Sequence, residues 1–229
     1  MTKIVVLDPG HGGKDPGASG NGLQEKNIVL QIAIATKNYL DKNYEGHKTV
    51  LTRTTDVFIE LLDRSAKANT LGADLFVSIH INASASVTAK GFETFRYDKS
   101  TSTKTQQAQS ELHNSIMKNA PFLTDRGRNS ANFSVLRNTN MSAVLTESGF
   151  ITNKTDASNL ANDKNILALA KGHAEGIASF LNLQKKTVNS TKTIYKVVVG
   201  TYEDIKEATA IKNSLDKDFR NVTIIQEKE

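Results

Sequence analysis

The stretch from residue 3 to residue 19, KIVVLDPGHGGKDPGAS, runs from four apolar residues, Ile4-Val5-Val6-Leu7, straight into four glycines, two prolines, two aspartates and a histidine. A short β-branched run closed by proline and glycine predicts a buried strand that stops abruptly. His11 stands just beyond that stop. Gly10, Gly12 and Gly13 permit positive φ or a close backbone approach, so the turn is able to aim the imidazole over the strand end. Taken alone, GHGG is equally a glycine loop of the phosphate-cradling type, because so short a motif recurs by chance.

Beyond this strand, strands and helices alternate, which predicts an α/β fold with a mostly parallel, twisted sheet flanked by helices. A helix is expected from about Gln24, where Ile28, Ile32, Ala35 and Tyr39 recur at helical spacing. A strand at 49–53, a helix at 59–71 and a strand at 74–80 follow. Residues 91–97 read as a strand, 103–118 as a polar helix and SAVLTESGF (142–150) as a buried strand ending near Glu147. Ile166, Ala170, Ala174, Ile177 and Leu181 then mark a long helix that closes a unit spanning residues 1–183.

After Leu183 the composition changes. QKKTVNSTKT (184–193) holds a single apolar residue and reads as a linker. Residues 194–229 form a small strand-helix-strand pattern whose helix is apolar at Ala208, Ile211 and Leu215, too short to bury a core alone.

Composition sets the outer bounds. The chain has 229 residues, 38% hydrophobic and 23% charged, as in ordinary globular proteins. It has no cysteine, so disulfides and thiolate metal sites are excluded and any metal must be held by histidine and carboxylate. The net charge of +5 is spread without a basic cluster, which suits a polyanionic surface but gives no footprint for nucleic acid. No stretch approaches the ~20 apolar residues of a membrane span. Met1-Thr2-Lys3 leads into a strand too short for a secretory apolar region, so synthesis in the cytoplasm without a signal peptide is expected.

In open α/β sheets ligands gather at the carboxyl ends of strands. Three predicted strands end in reactive groups: the first in Asp8 and His11, another in His80, a later one in Glu147. Glu25 opens the first helix, three residues before the core-facing Ile28, and its carboxylate is able to reach the same edge. Two histidines and one carboxylate form a ligand set of catalytic zinc, which leaves a fourth position for water. The plainer alternatives are satisfied structural histidines, and a Glu25 that only complements the helix dipole.

Several segments, taken together, resemble a known family: DPGHGGKDPGA (8–18), EK (25–26), LTRTTD (51–56), LLDRSAKANTLGADLFVSIHINA (61–83), FSVLR (133–137) and LTESGFITN (145–153). They are similar, in order and over roughly residues 1–182, to the zinc-dependent N-acetylmuramoyl-L-alanine amidases of the amidase type 3 family. The resemblance implies a Zn2+ cofactor, with His11, Glu25 and His80 as its ligands and Glu147 as the catalytic glutamate. It implies peptidoglycan as substrate, cut between N-acetylmuramic acid and L-alanine. Arg53, Arg64 and Asn82 also match, and Asn82, two residues past His80, is the best placed of these for a polar substrate contact. His47, His113 and His173 lie outside the motifs, His173 near the apolar stripe of the last helix.

The tail, YKVVVGTYEDIKEATAIKNSL (195–215), resembles the first half of a SPOR domain, a wall-binding module of two strand-helix-strand halves. A half-module can be completed by a second copy of itself; the plainer alternative is a strand-helix-strand unit packed on the enzyme or on a partner. A homodimer through residues 194–229 is therefore expected, with Tyr195, Val197, Val199, Val222 and Ile224 on the shared sheet's buried face. The setting expected is lysis, of phage or sporulation type, with release by membrane breach or a holin. The competing readings are a wall-binding or regulatory protein on the same fold that does not cut, and a different zinc amide hydrolase.

Overall fold

The structure is a computed structural model that describes residues 2–187 and 203–215. Its main sheet has six strands: β1 (Lys3–Pro9), β2 (His47–Leu51), β3 (Leu75–Asn82), β4 (Phe92–Tyr97), β5 (Asp125–Ala131) and β6 (Ser142–Phe150). In space they run β2-β1-β3-β6-β4-β5. The pairings β1–β2, β1–β3, β3–β6 and β4–β5 are parallel, while β4 runs antiparallel to β6. The amino ends of β4 and β5 therefore lie at the edge where β1, β3 and β6 finish. Four helices lie between these strands, α1 (Glu25–Asn43), α2 (Leu61–Thr70), α3 (Thr103–Asn119) and α4 (Ser134–Arg137), and two follow β6, α5 (Lys154–Leu160) and α6 (Asp163–Leu181).

The sheet is apolar on both faces because β1, β3 and β6 are central, and their side chains alternate between two separate cores. One core joins Val5, Leu7, Val77, Ile79 and Val144 to α1, α3 and α6. The other joins Val6, Phe76, Ala143 and Leu145 to residues of α2 and α4. Those two helices have 10 and 4 residues, so this second face is only partly roofed. His80, Asn82 and Glu147 project from it, by alternation from Phe76 and Leu145.

Beneath that face two arginines are almost fully buried. Arg64 donates from Nη1 to Asp8 Oδ1 (2.9 Å) and to the Pro9 carbonyl (2.8 Å), and from Nη2 to the His11 carbonyl (2.8 Å). Arg53 donates from Nη2 to the carbonyls of Gly10 (2.7 Å) and Lys26 (2.8 Å). Asp8, with no exposed surface, also accepts from Thr52 Oγ1 and Ser78 Oγ. Both arginines thus work as scaffold behind the loop that carries His11.

Three features depart from the sequence pattern. Strand β5, DRGRNSA, was not legible because it is an edge strand with exposed polar residues and no apolar alternation. Strand β2 starts at His47 and ends at Leu51, two residues earlier at each end than its apolar pattern implies. Gln184 and Lys185, expected in a linker, pair antiparallel with Glu45 and Tyr44 and so continue the first unit.

The chain divides into units at Thr187/Val188. In the second, α7 (Ile205–Leu215) matches the expected helix, with Ile205 and Ile211 exposed. The flanking strands, and the dimer face assigned to Tyr195, Val197, Val199, Val222 and Ile224, lie outside the described residues. Among the described residues no helix is long and apolar enough to cross a membrane.

Arg64→Met should strand the buried Asp8 carboxylate, costing about 3–5 kcal/mol. Urea denaturation followed by circular dichroism checks this; a loss below about 1 kcal/mol would mean the pair carries no such weight.

Candidate active site

Strand β1 ends in a turn that bends backwards. His11 itself takes φ 58°, in the left-handed region, and Gly12 and Gly13 follow at 125° and 56°. Gly10 matters for space: a Cβ there would sit 2.2 Å from Cε1 of His80, so only glycine lets that ring lie against the turn. The result is two imidazoles meeting edge to face, their centroids 5.0 Å apart. His11 Nδ1 is 2.8 Å from Asp15 Oδ2, whose other oxygen accepts from the Gly17 N–H. Were a metal to take the Nε2 lone pair, Nδ1 would carry the proton and donate to Asp15.

Glu25, 3% exposed, closes the group. Its Oε2 is 3.1 Å from His11 Nε2 and accepts from Ala18 N–H; its Oε1 is 2.9 Å from His80 Nδ1 and accepts from Ile81 N–H. Burial pushes the Glu25 carboxyl up, but hydrogen bonds and charge from the two histidines outweigh it and hold the group well below the ordinary carboxylate range. Burial likewise opposes protonation of His11, yet Glu25 and then Asp15 raise it above its usual value.

Glu147 stands opposite His80 in the β3–β6 register and opposite Glu93 in the β4–β6 register. Its Oε2 is buried with no hydrogen-bond partner among the described residues. Burial, and after it the charges of Glu25 and Glu93, push this carboxyl well above the usual range.

Glu93, 7% exposed, was not foreseen. It accepts from Asn82 Nδ2 (2.8 Å), Asn129 Nδ2 (2.9 Å) and Arg126 Nε (3.3 Å). Asn82 also accepts from the Ala83 N–H at Oδ1, so its amide is engaged on both sides. Glu93 and Arg126 escape the rule that ligands gather at carboxyl strand ends, because β4 and β5 bring their amino ends to this edge. Asp15 had a readable signal, a carboxylate four residues after His11. His113 and His173 stand apart from the cluster: His173 is fully buried on α6, bonded to Thr146 Oγ1 and the Leu169 carbonyl, and burial pushes it down to about 4.

His11, Glu25 and His80 each offer a ligand atom, and these atoms lie within 4.8 Å of one another. A Cβ on Gly17, itself at φ 66°, would intrude to 2.6 Å from the His11 ring and 2.7 Å from Glu25 Oε2, so the sequence keeps this cradle clear. Two imidazoles and a charged carboxylate, backed by Asp15, fit one divalent metal ion.

The family model for N-acetylmuramoyl-L-alanine amidases (Amidase_3) matches residues 5–179. The chain belongs to the N-acetylmuramoyl-L-alanine amidase family. The amidase is thus a hydrolase of peptidoglycan. It is 53% identical to the endolysin of Bacillus phage SPP1 over 193 residues, covering 83% of this chain and 70% of that one. With the sporulation-specific N-acetylmuramoyl-L-alanine amidase of Bacillus subtilis (strain 168) it shares 42% identity over 229 residues, 99% of this chain and 86% of that one. The solved catalytic domain of CwlV, an N-acetylmuramoyl-L-alanine amidase from Bacillus (Paenibacillus) polymyxa var. colistinus, superposes with a TM-score of 0.75 at 36% identity, covering 80% of this chain and all of that one.

A carboxyl whose folded pKa is raised stabilises the fold while protonated, and that stability is lost as pH rises from the unfolded value through the folded one. Metal-free Glu147→Gln amidase should therefore melt higher than metal-free wild type at about pH 8, with the gap closing toward about pH 4.5. Thermal melts across that range check it; a gap independent of pH would show that Glu147 is not raised.

Proposed function

We propose that His11, Glu25 and His80 hold a zinc ion and that Glu147 transfers the proton in hydrolysis of the amide between the lactyl group of N-acetylmuramic acid and L-alanine. The observation that carries this reading is a Glu147 oxygen with no hydrogen-bond partner among the described residues, on the strand next to a His-Glu-His donor set whose carboxylate is buried. Zinc bound there supplies Lewis acidity, polarising the scissile carbonyl and bringing the pKa of water to around 7.

The chain's own residues do the rest. Glu147, its carboxyl pushed up by burial and then by the charges of Glu25 and Glu93, accepts a proton from the attacking water at its carboxylate. It then delivers that proton to the alanine nitrogen. A C–O bond forms at the carbonyl carbon, the C–N bond breaks, and the products are a muramyl carboxylate and a free alanine amine. Asp15 keeps the His11 ring in one orientation and tautomer throughout. The site of action is the cell wall, and lysis by phage or sporulation route is the setting supported by relatives named as an endolysin and a sporulation-specific amidase.

Digestion of purified peptidoglycan should release free L-alanine amino termini, stop with a strong chelator and resume with added zinc, as read by mass spectrometry. Glu147→Ala should keep stoichiometric zinc by elemental analysis and lose roughly 10²–10⁴-fold in rate. His80→Ala should lose the metal. Zinc loss from folded Glu147→Ala protein would overturn the division of roles.

A further inference from the structure

Two β-bulges reshape the open face beside Glu147. Between β3 and β6 the register passes from His80↔Glu147 to Asn82↔Phe150, so β6 carries one extra residue at Ser148–Gly149, with Gly149 at φ 94°. Between β4 and β5 it passes from Phe92↔Asp125 to Thr94↔Arg128, so β5 carries one at Arg126–Gly127, with Gly127 at φ 89°. In a regular strand, residues three apart face opposite sides. The bulges cancel that alternation, which puts Phe150 on the face of Glu147 and lets both Arg126 and Asn129 reach Glu93. Arg128 turns to the other side, where it meets Ser110 of α3.

Arg126 is held there in a particular way. Its guanidinium carbon lies 4.8 Å from the centroid of the Phe150 ring, and Nε donates to Glu93. The terminal Nη1 and Nη2 groups carry no hydrogen bond among the described residues, and the side chain is 37% exposed. The buried Glu93 has the two amides of Asn82 and Asn129 as further donors, so it anchors the guanidinium without occupying its fork. A planar fork, stacked on one side and pinned at its base, is the arrangement that takes a carboxylate through two parallel hydrogen bonds.

We propose that Arg126, set by Glu93, Asn82, Asn129 and Phe150, is the specificity-determining residue that binds a free carboxylate of the peptidoglycan stem peptide. The inference rests on the amidase reading above. In intact peptidoglycan the muramyl carboxyl is spent in the amide to be cut and the sugars are neutral, so carboxylates lie only on the peptide side of the scissile bond. Strand β5 is two strands from β6, roughly 10 Å. An extended peptide advances about 3.4 Å per residue, which brings the second or third stem residue to the fork. Asn82 serves here through Glu93, as a positioning residue.

The test uses the full chain with zinc on peptidoglycan freed of phosphate polymers, its stem carboxylates either left free or converted to primary amides. Wild type should show kcat/KM at least roughly tenfold higher on the free-carboxylate walls, most of it in KM, as expected for one charge-assisted hydrogen-bonded pair. Arg126→Ala should bring that ratio to about one, and Arg126→Lys should keep part of it. No preference in wild type, or an undiminished one in Arg126→Ala, would overturn the proposal while leaving the amidase reading intact. A preference that appears only on walls retaining their phosphate polymers would move the ligand to phosphate and likewise overturn it. Should Arg126→Ala fail to fold, the wild-type ratio and the Lys variant still decide. Absence of alanine amino termini from every wall would instead sink the amidase reading.

Discussion

A carboxylate taken out of water costs several kcal/mol unless its lone pairs are answered, and Glu25 is answered from every side. Its donors and partners come from separate parts of the chain: His11 and Ala18 from the long turn after β1, His80 and Ile81 from β3, and Glu25 itself from the first turn of α1. One buried side chain therefore joins a turn, a strand and a helix. It also lies between the two imidazoles that a metal needs. The joint of the fold at this end and the candidate metal site therefore share one buried side chain.

The turn after β1 has little regular structure to satisfy its carbonyls, and a buried unsatisfied carbonyl is costly. Arg53 and Arg64 supply donors from beneath, reaching the carbonyls of Pro9, Gly10 and His11 in succession. Such a cradle over-determines the backbone. That is the condition under which a non-glycine residue such as His11 persists in the left-handed region at a cost of order 1–3 kcal/mol. Lysine in place of either arginine would present a single ammonium where a planar fork now spans several acceptors.

Much of this was legible in sequence, for a physical reason. Central strands such as Val5–Leu7 and Leu75–Ile79 are buried on both faces, and α1 and α6 carry one apolar stripe each, so periodicity and composition announce them. His11 and Glu25 stand at element ends, and His80 and Glu147 two and three residues before theirs, β6 running on to Phe150, close enough for a topological rule to apply. The remainder was hidden because its signal is not local. Strand β5 has no buried face of its own to leave a pattern. Glu93 sits at the amino end of β4, and only the antiparallel pairing of β4 with β6 makes that end part of the site. The bulges at Gly127 and Gly149 are recorded in the sequence as single glycines, indistinguishable from turn glycines until the register is known.

The three carboxylates on this edge also explain why Glu147 is the one suited to move protons. Glu25 and Glu93 flank it, and each is compensated on its outer side, Glu25 by two imidazoles and two backbone N–H groups, Glu93 by two amides and a guanidinium. Compensation of the outer pair leaves the middle carboxyl as the least satisfied of the three. Burial and the two flanking charges then raise Glu147 while Glu25 is held low, so neighbouring groups of identical chemistry are driven apart in acidity. An anchored carboxylate remains charged and can serve as a ligand. The one between is poised to gain and lose a proton, and the unfavourable burial of its Oε2 is what the fold gives up in stability to keep it so.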